Sequence, residues 1–479
     1  MYLKQITDPS LAQNAYLIGC QKTGEAIVID PERDVDRYLE LAAAEGLKIT
    51  AVADTHIHAD YLSGIRELVE HHGAKAYCTA EGGPDWQVEW AKGDPRCQEI
   101  RDGDTFMVGN IEFRVVLTPG HTPEHVSYLV TDHGGGASEP MALLSGDFIF
   151  VGDVGRPDLL ESAAGQEGAM EGSARVLYDS LRATRDLPEF LQILPGHGAG
   201  SACGKALGAI PQSVLGYERQ FNQPLHLALT DSRDQFVANI LEGQPEPPVY
   251  FARMKRDNRA GQPLLPDGKL PAPKRFSAAE LQGLLSSPDH LVLDLRTSKS
   301  AFGRKHLRGS LFAPLKGTEL PEAAGSFIVD ETTPLVLLLE NEDDLEEAVR
   351  QLIRIGYDQL VGWIPVDEAL ASGAETSAFE RIEPKDLPEA LKAKPGHVLD
   401  VRKLSEFKQG HFEGAHQIAH TRLAAQVNEV PKDETIYVHC RSGMRAAKSA
   451  AFLESQGFEV IHVDGPVDNL LATCQSSCA

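Results

Sequence analysis

The 479 residues predict an α/β protein of several domains. Three observations point there. The length exceeds one core, since domains run to about 100–200 residues each, which gives two to four. Apolar runs of strand length repeatedly end in polar loops, between stretches of helical periodicity. A segment near residue 290 recurs near residue 397.

Composition narrows the class. Apolar residues make up 42% and charged residues 24%, a globular balance. The formal charge is −25, from 45 Lys+Arg against 70 Asp+Glu. So acidic a surface repels phosphate backbones and anionic bilayers, so neither nucleic acid nor a membrane is an expected partner. No apolar run is long enough to span a bilayer. The start, MYLKQITDPSLAQNAYLIG, is polar where a secretory leader needs an apolar core. The expected location is the cytoplasm. Seven scattered cysteines form no disulfide framework, and the question becomes which thiol is chemically special. The sequence leaves homo-oligomer formation open.

In chain order, NAYLIG and GEAIVIDP (14–31) read as short strands, and VDRYLELAAAE (35–45) as a helix. KITAVADTHIHADY then runs a β-branched strand into His56 and His58. The pattern recurs in FRVVLTPGHTPEH with His121, ALLSGDFIF with Asp147, and FLQILPGHGAG with His197. Four polar loops after four strands suit a layered domain with its site along one rim. Two histidines one residue apart can point into one cavity. Neutral imidazoles with a carboxylate are usual donors for zinc or iron.

Residues 245–273 hold seven prolines and little periodicity, and 244–275 is expected to be a linker. HLVLDLRTSKSAFGRKHLRGS (290–310) then returns as HVLDVRKLSEFKQGHFEGAH (397–416). Asp294/Asp400 and Arg296/Arg402 are offset by 106, His306/His411 and Gly309/Gly414 by 105. A period near 100 is domain-sized, so the sequence predicts two copies of one small α/β domain, over 276–370 and 380–479.

ETIYVHCRSGMRAAKSAAFLESQGF reads as strand (Ile436–His439), loop (Cys440–Arg445) and helix (Ala446–Gln456). A cysteine between a strand and a helix N-terminus sits where unpaired N–H groups and the helix dipole favour an anion, hence a thiolate nucleophile. Arg441 and Arg445 add positive charge. In the first copy Glu340 aligns with Cys440 at an offset of 100, with Asp343 and Asp344 following. A carboxylate there repels an anionic sulfur substrate, so residues 276–370 are expected to lack transferase chemistry. Cys474 and Cys478 read as part of a tail.

Residues 1–243 resemble the metallo-β-lactamase superfamily through THIHADY, PGHTPEH, SGD and PGHG. The resemblance implies an αββα sandwich. Glyoxalase-II-type members continue this motif as His-x-His-x-Asp-His and bind two metals; here the last position is Tyr61. The persulfide dioxygenase branch holds one iron, which by resemblance implies His56, His121 and Asp147 as ligands and one Fe(II) per chain. Three positions then remain for substrate sulfur and O₂. The same resemblance implies that His58, Asp60, Tyr61 and His197 stand behind the ligands, orienting them or relaying protons; His58 as a ligand is the competing view. Cys203, in GAGSACGKALG, is either a buried structural thiol or a group at the substrate pocket. Arg156, in GDVGRPDL, pairs either with a substrate carboxylate or within a structural ion pair.

The 380–479 segment, with DVR at 400–402, resembles the rhodanese family, in which the loop cysteine carries sulfur as a persulfide. Related phosphatases place Arg six positions after the Cys; position 446 is Ala and Arg445 comes at five, so the loop is the sulfur-sized kind. The whole chain resembles bacterial dioxygenase–rhodanese fusions. That implies oxidation of a low-molecular-weight thiol persulfide by O₂ to sulfite and transfer of sulfane sulfur through Cys440 to sulfite, giving thiosulfate, a sulfide-detoxifying chemistry. The alternatives are a zinc thioester hydrolase of glyoxalase-II type fused to a rhodanese, and a non-enzymatic sulfur carrier or sensor.

Overall fold

The computed structural model describes residues 1–159, 168–205, 207–208, 210, 212–285 and 289–467. Cys474 and Cys478 lie outside the described residues. The chain divides into two compact units. The first comprises Met1–Gln244, Phe251–Leu270 and Ile353–Gly356; the second comprises Pro245–Tyr250, Pro271–Leu352 and the chain from Tyr357 onward.

The first unit is a four-layer sandwich built on two six-stranded sheets. One sheet runs in order β1 (Tyr2–Asp8), β2 (Gln13–Cys20), β3 (Glu25–Ile29), β4 (Lys48–Ala53), β5 (Lys75–Thr79), β6 (Cys97–Ile100). It is antiparallel through β3 and parallel from β3 onward. The other contains β7 (Thr105–Val108), β8 (Ile111–Leu117), β9 (Val126–Asp132), β10 (Ala142–Gly146), β11 (Gln192–Pro195) and β12 (Ser213–Val214), hydrogen-bonded in sequence. Only its β10–β11 pair is parallel.

Strand alternation explains the layering. In β2, Tyr16 and Ile18 join Ile27, Phe113, Tyr128 and Leu144 between the sheets. Ala15 and Leu17 face the other way, with Tyr38 and Leu68 from the helices Asp36–Ala44 and Ile65–His72. Leu129 and Leu143 point outward to Leu177, Leu225 and Phe236 on helices over the second sheet. The middle of the Pro-rich stretch expected as a linker is helical, Phe251–Ala260, and belongs to the first unit.

The second unit contains two five-stranded sheets of one topology. The first is ordered β13 (Lys274–Arg275), β18 (Leu360–Pro365), β17 (Leu335–Leu339), β14 (Leu291–Asp294), β16 (Leu311–Phe312). The second is ordered β20 (Glu380–Ile382), β24 (Val460–Val463), β23 (Thr435–His439), β21 (Gly396–Asp400), β22 (His416–Gln417). A short ladder joins β15 (His306–Leu307) to β19 (Thr376–Ser377), carrying the first copy past residue 370. The recurring Asp-x-Arg is structural in both copies. Arg296 Nε lies 2.9 Å from Asp294 Oδ1, and Arg402 Nε the same distance from Asp400 Oδ1. Among the described residues, no helix is long and apolar enough to cross a membrane.

Candidate metal centre and cysteine loop

The loops after β3, β4, β8, β10 and β11 meet at one rim of the sandwich. His56 Nε2 lies 3.9 Å and His121 Nε2 3.6 Å from Asp147 Oδ2. The three side chains are buried, and both Asp147 oxygens lack a hydrogen-bond partner among the described residues. A buried carboxylate without donors is costly, and two imidazole nitrogens at this spacing suit a shared ion. Burial pushes His56 well below the ordinary imidazole range and His121 in the same direction, so both are neutral donors.

Each of the three is held from behind. Thr55 Oγ1 contacts His56 Nδ1 at 2.9 Å, and the Arg156 carbonyl oxygen contacts His121 Nδ1 at 3.0 Å. The Asp147 N–H donates to His125 Nε2 at 3.0 Å, and His125 Nδ1 meets Thr118 Oγ1 at 2.8 Å. Gly196 explains the glycine of PGHG: a Cβ there would stand 2.6 Å from Asp147 Oδ1.

A second cluster adjoins the first. His197 Nε2 lies 3.3 Å from Asp60 Oδ2 and 3.5 Å from Asp147 Oδ1, and Cys203 completes a group able to hold an ion. Burial pushes the Cys203 thiol well above its usual value, helped by Asp60 and Asp147. A cavity of about 220 Å³ reaches His197, with Gln5, Thr7, Asn14, Val151 and Ile210 among its walls.

His58 belongs to a third group. Its Nε2 is 3.2 Å from Asp30 Oδ1 and 3.0 Å from Tyr61 Oη. Burial opposes its charge, but the Asp30 bond and the nearby carboxylates raise it to about 9. Tyr61 also donates to the Asp30 carbonyl at 3.3 Å and accepts from Gln13 Nε2 at 3.2 Å. Asp30 itself has a left-handed φ of 53°, rare for a side-chain-bearing residue, and accepts from Thr55 N at 2.6 Å.

Several contributors escape the sequence reading. Asp30 directly follows β3, just as the ligands follow their strands, and that position is the signal. His125 and Glu124 lie inside PGHTPEH; Glu124 accepts from Ile57 N at 2.8 Å, and burial raises its carboxyl to about 7. Asn258 carries no local signal. Its amide donates to the carbonyls of His58 (2.8 Å) and Tyr61 (2.7 Å) and accepts from Ser63 N (2.8 Å). Arg156 is 1% exposed, with Nε 2.8 Å from Asp158 Oδ1 and Nη1 3.1 Å from the Ala202 carbonyl. Its guanidinium pairs with Asp158, two residues away, which is the ion-pair alternative the sequence offers.

In the second unit, Cys440 follows β23 and is 2% exposed. Its Sγ accepts from the N–H groups of Gly443 (3.1 Å) and Ala446 (3.3 Å). The helix starts at Met444, two residues before the sequence expectation, because Gly443 breaks the chain with a φ of 91°. Arg445 therefore lies in the first helical turn, where its guanidinium pairs with Glu406 at 2.6 and 2.9 Å. Arg441, within the loop, is exposed. Glu340 occupies the matching position after β17 and accepts from Thr297 N at 3.3 Å.

Residues 9–197 match the metallo-beta-lactamase superfamily and residues 383–472 the rhodanese-like domain. A hydroxyacylglutathione hydrolase of Rhodopseudomonas palustris is 30% identical over 252 residues, 52% of this chain and 83% of that protein. The crystal structure of a metallo-beta-lactamase from Staphylococcus aureus is 38% identical with a TM-score of 0.66, covering 76% of this chain and 99% of that one. ETHE1 from Myxococcus xanthus is 30% identical with a TM-score of 0.42, covering 54% and 99%. Both parts of the chain thus fall in enzyme families, one a metal-binding fold and the other a sulfurtransferase fold. The family match over the first part of the chain and the identity and coverage of these relatives lead to one conclusion: the chain belongs to the metallo-beta-lactamase superfamily and carries a rhodanese-like domain after it.

Proposed function

We propose that the chain oxidises a low-molecular-weight thiol persulfide with O₂ to sulfite at one Fe(II), and passes sulfane sulfur through Cys440 to sulfite, giving thiosulfate. The observation that carries this reading is the buried group of His56, His121 and Asp147, two imidazoles and a carboxylate without hydrogen-bond partners of its own among the described residues, while His58 is engaged by Tyr61 and Asp30. Two histidines and one carboxylate are the donor type of non-haem iron oxygenases, and the ion would supply redox chemistry toward O₂. The remaining roles belong to the chain. Thr55, the Arg156 carbonyl and His125 fix the ligands' orientation. The balance is RSSH + O₂ + H₂O → RSH + sulfite + two protons.

At the second site the Cys440 sulfur attacks the outer sulfur of another persulfide and the carrier thiol leaves. Sulfite then takes that sulfur, and the Gly443 and Ala446 N–H groups stabilise negative charge on Cys440 throughout. The proposed partners are therefore small molecules: persulfide, O₂ and sulfite.

A second reading is a zinc thioester hydrolase, favoured by the relative's name and by the Asp60–His197–Cys203 cluster beside Asp147. O₂ uptake by iron-loaded protein given a thiol persulfide, with metal analysis of the same sample, separates the two. One iron per chain with uptake supports the dioxygenase. Two tightly held zincs with thioester cleavage and no uptake overturn it.

A further inference from the structure

Lys299 opens the helix Lys299–Arg304 of the copy that has Glu340 in place of a cysteine. Its ammonium reaches the other copy, donating to the Ser442 carbonyl at 2.5 Å and pairing with Asp464 at 2.5 Å. The Ser442 carbonyl and the Gly443 N–H belong to one peptide plane and, in a trans peptide, point in opposite directions. That same N–H donates to Cys440 Sγ at 3.1 Å. One plane thus links the ammonium on one side to the sulfur on the other. The next plane is held alike: His462 Nε2 meets the Gly443 carbonyl at 3.0 Å. A Cβ at Gly443 would lie 2.0 Å from Asp464 Oδ1 and 2.5 Å from Lys299 Nζ, so the clamp closes directly on the loop.

A separate contact carries the same conclusion. Lys448, fully buried on the helix that follows the loop, pairs with Glu319 at 2.6 Å and with Glu322, both on the first copy's helix Glu319–Phe327. Glu322 also lies 2.9 Å from His420 Nε2. A buried ammonium requires such partners. Phe302, Phe312 and Phe379 pack with Ala447, Ala450 and Ala451 of the same helix.

We infer that the copy without a nucleophile builds the loop of the copy that has one, with Lys299 as the positioning residue that aims the Gly443 N–H at Cys440. A cation on the carbonyl also polarises the peptide and strengthens that N–H as a donor. The inference rests on Cys440 being the sulfur carrier, and it supplies a role for the first copy beyond packing.

The test uses the full chain. Alkylation of Cys440 by iodoacetamide at fixed pH is followed on its own peptide by mass spectrometry, beside steady-state sulfur transfer from a thiol persulfide to sulfite. Lys299→Met is expected to slow both alkylation and kcat by about tenfold, the scale of one lost charge-assisted donor, with KM for sulfite within about twofold. Lys299→Arg, which keeps charge and donor, is expected to restore most of both. Asp464→Asn, which frees the ammonium from its anchor, is expected to slow alkylation several-fold and serves if Lys299→Met does not fold. Wild-type alkylation and kcat in a folded Lys299→Met or Asp464→Asn overturn the inference. Slowed alkylation in variants of a protein whose wild type transfers no sulfur leaves the positioning intact and overturns the carrier reading instead.

Discussion

Tyr61 Oη stands 3.0 Å from His58 Nε2, and that contact turns the two residues toward each other and toward Asp30. Burial drives the Tyr61 phenol well above its usual range, so it remains a neutral hydrogen-bonding group. Tyr61→Phe removes a buried hydroxyl and leaves the Gln13 amide and the Asp30 carbonyl each one partner short. It is expected to lower stability by about 1–3 kcal/mol while leaving metal content at the wild-type value. Thermal unfolding and metal analysis of the same preparation check this, and loss of the ion in a folded variant would make Tyr61 a ligand.

The proposed ligands should separate from their neighbours by substitution. Asp147→Asn keeps the shape of the side chain but removes the charge facing His56 and His121. It is expected to lose the ion outright, as are His56→Ala and His121→Ala. His58→Ala is expected to retain it with weaker affinity, because the His58 Nε2 side is occupied by Asp30 and Tyr61. Competition with a chelator ranks the four, and His58→Ala falling with the other three would add it to the ligand set.

Two buried histidines make the second unit sensitive to acid. Burial lowers His439 and His462 to about 4, although Asp400 and Asp464 respectively pull the other way. In the unfolded chain both titrate near the ordinary imidazole value, about 6.5. Between those values the unfolded chain binds more protons, so their contribution is complete above about pH 6.5 and is lost as pH falls toward 4. Amide exchange in β23 and β24 is expected to accelerate as pH drops through this window, after correction for intrinsic exchange. His439→Gln should remove part of that dependence; an unchanged dependence would show that His439 charges without opening the sheet.

Strand-to-loop transitions carried most of what the sequence disclosed. His56, His121, Asp147 and His197 each follow a β-branched or apolar run, and periodicity of two exposes such runs directly. The repeat was legible because Asp-x-Arg returns at a fixed offset, and both ion pairs have the same geometry. What remained hidden is tertiary. Asn258 meets His58 across 200 residues, and Lys299 meets Ser442 across 143. A lone amide or lysine on a short helix has no periodicity that reveals its partner. The Gly443 break was misjudged by two residues because a left-handed glycine both ends the loop and starts the helix.

Cys440→Ser separates the two proposed chemistries. The cysteine lies in the second unit, whereas His56, His121 and Asp147 lie in the first, and none of the ligand contacts involves it. A serine hydroxyl fits the space and can accept the Gly443 and Ala446 N–H bonds, so the loop should survive the exchange. It is barely ionised at neutral pH and cannot hold a transferable persulfide. The variant is therefore expected to keep wild-type O₂ uptake with a thiol persulfide while its product changes from thiosulfate to sulfite. Separation of the two anions by ion chromatography, alongside oxygen-electrode traces, reads both quantities in one reaction. Thiosulfate formed at the wild-type rate would move sulfur transfer to another thiol, with Cys203 beside Asp60 and His197 the next to substitute. Loss of O₂ uptake in a variant that still holds its ion would mean that oxidation depends on Cys440 and that two independent sites do not describe the protein.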